Sequence, residues 1–203
     1  MLTTHRKRII YIVIGIFVLL ILYALKNTSY FVRASGFLLS IVLFYLADVF
    51  FDLEFKSRHY FIFVLISALG ILLSPFYFLY PNYDKILHLI MPILGSIMVF
   101  FLVDKLKIEF KWKLLLTFTT LIALLTVLEV GEFAMDKLWD IKAQGVYIRD
   151  ISGLEKYNLV MDRNDDTMTD IILGMFGSTI FSIVKLGTYY YNKRYGGIKI
   201  KNL

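Results

Sequence analysis

Glu129-Val130-Gly131-Glu132-Phe133-Ala134-Met135-Asp136 closes one long apolar run, and Asp162-Arg163-Asn164-Asp165-Asp166-Thr167-Met168-Thr169-Asp170 opens the next. About 20 consecutive apolar residues suffice to cross a bilayer as a helix. An ionisable group inside such a segment is costly, and by default it marks a functional site. The stretch from Glu129 to Gly174 therefore predicts two membrane helices joined by a polar loop, with acids gathered at the joined ends.

The rest of the 203-residue chain fits this reading. It is 59% hydrophobic and 19% charged, with mean hydropathy +0.71. Further apolar runs cover residues 9–25, 31–51, 60–80 and 84–103, before 114–136 and 167–190. Basic residues at 6–8 precede the first run, as in a signal peptide, but the run exceeds the usual apolar core and no small-residue cleavage site follows. It reads as a retained helix. Pro75 is expected to kink the third run near its exit. The expected fold is all-α: a polytopic membrane protein of about six transmembrane helices in one bundle. Residues 1–203 read as a single integral membrane domain, with 137–166 as an extracytoplasmic loop.

Cysteine is absent, which excludes disulfides, thiolate nucleophiles and Cys-ligated metal. The net charge of +6 does not indicate nucleic acid, because the basic residues flank apolar runs and form no stripe. Of 22 Lys and Arg, 14 fall in 1–8, 52–59, 104–113 and 185–203. That bias puts these segments, and both termini, on the cytoplasmic side. In a bacterial or archaeal host the expected location is the cytoplasmic (inner) membrane, and the expected partner is membrane lipid.

This topology brings three helix ends to the outer face. Asp84 and His88 share a helical face at i,i+4, as do Asp166 and Asp170. Glu129, Glu132 and Asp136 fall at i, i+3 and i+7, again one face. With a rise of ~1.5 Å per residue, His88, Glu132 and Asp170 each lie roughly 6 Å inward of Asp84, Asp136 and Asp166. Glu129 lies about one turn deeper still. Six carboxylates so placed need compensation from a metal, from Lys85, Lys137 or Arg163, or from protonation. Asp and Glu with one His suit a divalent ion such as Mg, Mn, Fe or Zn, so a divalent metal is the cofactor considered, with His88, Glu132 and Asp170 as ligands.

Structural roles stand beside these. Asp84, Asp136 and Asp166 also fit solvated edge residues, with Asp166 as a helix cap before Thr167. His88 fits an interhelical donor as well as a ligand. Asp48 and Asp104 read as structural, His5 and His59 as ordinary surface residues. Gly174 and Gly177 suit close helix packing, and Tyr189-Tyr190-Tyr191 an interfacial belt. No phosphate loop, G-x-S-x-G or H-E-x-x-H is present, so no catalytic set is assigned.

Asp84-Lys-Ile-Leu-His88 at one helix start, Glu129-Val-Gly-Glu132-Phe at a helix end, and Asp165-Asp-Thr-Met-Thr-Asp170 with Gly174 at the next start together resemble the YjdF-type family of uncharacterised inner-membrane proteins. More distantly the chain resembles the VanZ-like family, whose founding member is linked to teicoplanin resistance. The resemblance covers about residues 84–180. VanZ-like proteins tend to carry Glu-x-x-Gln where this chain has Glu129-x-x-Glu132, which favours the YjdF-type family. That resemblance implies a membrane fold and carries no reaction with it.

Three functions are compatible with the sequence. One is an enzyme or binding protein acting on a lipid head group through a metal at the acidic site. Another is a small proton-coupled transporter using the acids as relays, although no inverted repeat is evident. The third is a non-catalytic envelope or stress-resistance protein whose polar cluster only ties helices together.

Overall fold

In a computed structural model the described residues are 9–10, 12–17, 20, 28–139, 142–149 and 157–195. The basic segments expected at 1–8 and beyond 195, and part of the long loop, lie outside them. Among the described residues the helices are α1 (Thr28–Phe50), α2 (Ser57–Ser67), α3 (Tyr83–Val103), α4 (Phe110–Trp139) and α5 (Arg163–Tyr195). Residues 9–10, 12–17 and 20 of the first run are also helical. α1, α3, α4 and α5 contain windows long and apolar enough to cross a membrane. Large apolar side chains such as Val127, Leu128, Val130, Ile183 and Val184 face outward, as lipid contact requires. The protein is an all-α membrane protein.

The third run departs from a simple span. α2 gives way to a π-turn at Ala68–Leu72 and a 3-10 turn at Ser74–Phe78 that starts around Pro75. Pro75 has no N–H to continue a helical ladder and suits the first turn of a new one. The continuous apolar helix there, Ser57–Leu72, is shorter than the four spans.

The chain forms two compact units. The first comprises residues up to Leu87 together with Gly145–Asp162. Its interior is organised around Asp48, a buried carboxylate at the end of α1. Asp48 accepts hydrogen bonds from the Phe55 N–H (3.0 Å) and the Tyr60 hydroxyl (2.6 Å). Those bonds fold back the turn in which Asp52 and Glu54 adopt φ of 50° and 57°. Phe44 stacks on Phe63 at 4.1 Å and on Phe55 at 5.0 Å beneath it. Asp48 is structural, as its sequence position suggested. His59 is not the surface residue expected: it is wholly buried. Its Nδ1 accepts the Lys56 N–H at 3.0 Å, capping α2 from within. Burial, and then the Arg58 and Lys56 charges, lower its pKa to about 4.

The same unit holds a two-stranded antiparallel hairpin, β1 (Val146–Arg149) with β2 (Tyr157–Met161). Both strands lie in the loop between α4 and α5. Tyr147 pairs with Leu159 and Arg149 with Tyr157. The Tyr157 ring lies 5.3 Å from Phe78 of the 3-10 turn.

The second unit comprises residues 88–144 and 163–203. It packs the length of α3 from His88 onward with α4 and α5. A Cβ on Gly177 would strike the Leu89 carbonyl, and one on Gly174 would strike Leu125 Cδ1. A Cβ on Gly95 would come within 3.1 Å of Leu121 Cδ1. Glycine at these positions lets all three helix pairs approach closely, the packing mode of membrane helices. Towards the other end, Phe100 meets Phe110 and Phe181, and Phe110 stacks on Tyr189 at 4.1 Å.

Candidate functional site

The buried face of α4 repeats at fourfold spacing: Thr117, Leu121, Leu125 and Glu129, then Asp136. That of α5 runs Asp166, Asp170, Gly174, then Gly177 and Ser178. These faces carry Glu129 and Asp170 into the interior of the second unit, where His88 of α3 stands between them. His88 Nδ1 is 3.8 Å from Glu129 Oε1, and His88 Nε2 is 3.9 Å from Asp170 Oδ2. Glu129 is 4% exposed and Asp170 1%. Both separations exceed hydrogen-bond length.

The two contacts use opposite edges of one imidazole ring. A neutral imidazole carries one N–H and one lone pair. A carboxylate at one nitrogen holds the proton on that side and turns the other lone pair outward. Here Nδ1 faces Glu129 and Nε2 faces Asp170 at nearly equal distances. Sequence spacing did not pair Glu129 with His88. It placed Glu129 deeper than the ligand layer, yet the run of buried residues four apart that ends at Glu129 is visible in the sequence of α4.

The other predicted residues are placed as follows. Glu132 is half-buried on α4, three residues beyond Glu129. Asp84 belongs to the first unit; it is half-buried, with Lys85 Nζ at 3.2 Å from its Oδ2. Asp136 and Asp166 were expected at a hydrated edge and are instead buried. The Asp136 carboxylate binds the chain that leaves α4, accepting the Ala143 N–H (2.6 Å) on Oδ1 and the Gln144 N–H (3.1 Å) on Oδ2. Arg163 Nη2 lies 3.7 Å from Oδ2. Gln144 Nε2 then donates to Thr167 Oγ1 at 3.0 Å. Asp136 thus ties the end of α4 to the start of α5, which explains its burial without a ligand. Asp166 does not cap a helix starting at Thr167, because α5 begins four residues earlier at Arg163. With Asp165 it lies in the first helical turn, where a negative charge complements the helix dipole.

The family described as "Predicted membrane protein (DUF2238)" matches residues 7–193. No curated protein and no solved structure matches the chain. The chain belongs to that family of predicted membrane proteins, and its apolar helices agree with the assignment.

Proposed function

We propose that this member of the family binds a divalent cation between His88 Nε2 and Asp170, and through it the phosphate of a lipid head group. The two-sided surround of the His88 ring carries the reading. Glu129 at Nδ1 orients the ring, and the Nε2 lone pair faces the Asp170 carboxylate across 3.9 Å. A cation held about 2.0–2.2 Å from each donor spans such a gap. Its charge would compensate acids that are otherwise expensive at this burial. Glu132 on α4 is the further oxygen donor. The mixed N and O set suits Mg, Mn, Fe or Zn.

In this reading both termini are cytoplasmic, and residues 137–166 lie at the outer face of the cytoplasmic membrane, as the Lys and Arg distribution supports. The cation would then sit near the head-group level of the outer leaflet. His88, Glu129, Glu132 and Asp170 of this proposal all fall within the stretches that resemble the YjdF-type family.

A second reading has a specific observation behind it. A protonated His88 between Glu129 and Asp170 would make the same two distances, as an ionic tie among three helices with no ligand. Lipid analysis separates the two. Protein purified in mild detergent should retain phospholipid that a chelator releases, and Asp170→Asn should retain none. Retention indifferent to both chelator and substitution contradicts the head-group reading.

A further inference from the structure

Two turns inward of the His88–Asp170 pair lies a second polar level. Ser96 follows His88 by eight residues on α3, and Ser178 follows Asp170 by eight on α5, roughly 12 Å along each helix. α3 and α5 run in the same direction here, since Gly177 abuts Leu89, Pro92 and Ile93, and Phe181 meets Phe100 further on. Ser96 and Ser178 fall between these two cross-helix contacts. Both are fully buried, and neither hydroxyl has a hydrogen-bond partner among the described residues.

A buried helical hydroxyl ordinarily donates to a carbonyl one turn back. Exposed or part-buried, the Thr117, Thr126, Thr169, Ser182 and Thr188 hydroxyls of α4 and α5 all bond the carbonyl four residues back, at 2.6–2.9 Å. Ser96 and Ser178 do not take this local option. A buried hydroxyl left without any partner is costly, and a water making about three bonds is the usual remedy between packed helices. We propose that Ser96 and Ser178 jointly bind one buried water, an uncharged polar layer that pins α3 to α5 in mid-span. Leu125, pressed into the space that Gly174 leaves open, separates this layer from the acids one turn above. The water is therefore a resident of its own site. It does not rest on the cation reading.

A double-mutant cycle on the full chain in detergent tests the proposal. Ser96→Ala and Ser178→Ala should each lower Tm by about 2–4 °C. The double variant should lose no more than the worse single, because either change already removes the water. Additive losses, or a single variant as stable as wild type or more so, overturn it. If a variant does not fold, infrared spectra of the wild type exchanged into H2(18)O decide. A narrow, isotope-shifted O–H band from an internal water is expected, and its absence overturns the proposal.

Discussion

His88 Nδ1 faces Glu129 Oε1 at 3.8 Å while the opposite ring nitrogen faces Asp170. In the proposed cation site Glu129 is a positioning residue and Asp170 a ligand. Glu129→Gln should weaken divalent-cation binding about 10–100-fold, the usual effect of losing an orienting carboxylate, without abolishing it. Asp170→Asn should abolish it. Isothermal titration of detergent-solubilised protein with Mn or Zn reads both. Equal effects of the two substitutions would contradict the division of roles.

Asp136→Asn should act on stability and leave the cation alone. The asparagine keeps one acceptor oxygen but turns an NH2 group towards a backbone N–H that Asp136 now satisfies. A buried donor left unsatisfied costs about 1–3 kcal/mol. The expected result is a lower Tm with unchanged metal stoichiometry. Protease cleavage within residues 137–163 should become faster. A loss of metal with unchanged Tm would place Asp136 in the ligand set.

His59 should make the first unit acid-sensitive. Its folded pKa of about 4 lies below the ordinary 6.5, so between those values the unfolded chain binds more protons than the folded one. The stabilising contribution is complete above pH 6.5 and is lost progressively as pH falls towards 4. Tm should drop between pH 7 and pH 5 more in wild type than in His59→Gln. An equal drop in both would assign the acid response to other groups.

Gly177→Ala should destabilise the second unit, because the new methyl meets the Leu89 carbonyl and backbone cannot yield cheaply. A loss of about 1–3 kcal/mol is expected for overpacking of this kind. Gly131 has no neighbour within 4 Å of its would-be Cβ. Gly131→Ala should be neutral or stabilising by up to roughly 1 kcal/mol, since alanine loses less backbone freedom in a helix. Chemical denaturation in mixed micelles compares the two. A neutral Gly177→Ala would mean the α3–α5 packing is looser than the structure places it.

The long spans were legible because apolar runs near bilayer length have few alternative readings. α3 starts one residue before the sequence placed it and ends at the same residue. Helix ends were less legible: α4 and α5 extend into the polar segments at Trp139 and Arg163, since hydropathy marks only the membrane-embedded part. The hairpin was missed because Val146–Arg149 and Tyr157–Met161 are short, weakly alternating strands. His59 was misread because a histidine beside Arg58 and Lys56 has the sequence of a surface turn; only the Nδ1 bond to the Lys56 N–H shows that it caps α2 from inside. Matched spacing brought out His88 and Asp170, whereas the rotation of α4 that sets Glu129 against His88 depends on packing at Leu125 and Gly174. Asp136 looked hydrated because nothing in the sequence says that the chain at Ala143 and Gln144 turns back onto it.

The most direct test is metal content by elemental mass spectrometry, on protein purified without chelator and offered Mg, Mn, Fe and Zn in turn. It should be measured for wild type, His88→Ala and Asp170→Asn, with Tm recorded alongside to show that each chain is folded. Wild type should retain at least one of these ions stoichiometrically, and both folded variants should lose it. Wild-type protein that holds none of the four ions, while His88→Ala lowers Tm, would contradict the cation site and leave His88 as an ionic tie between helices.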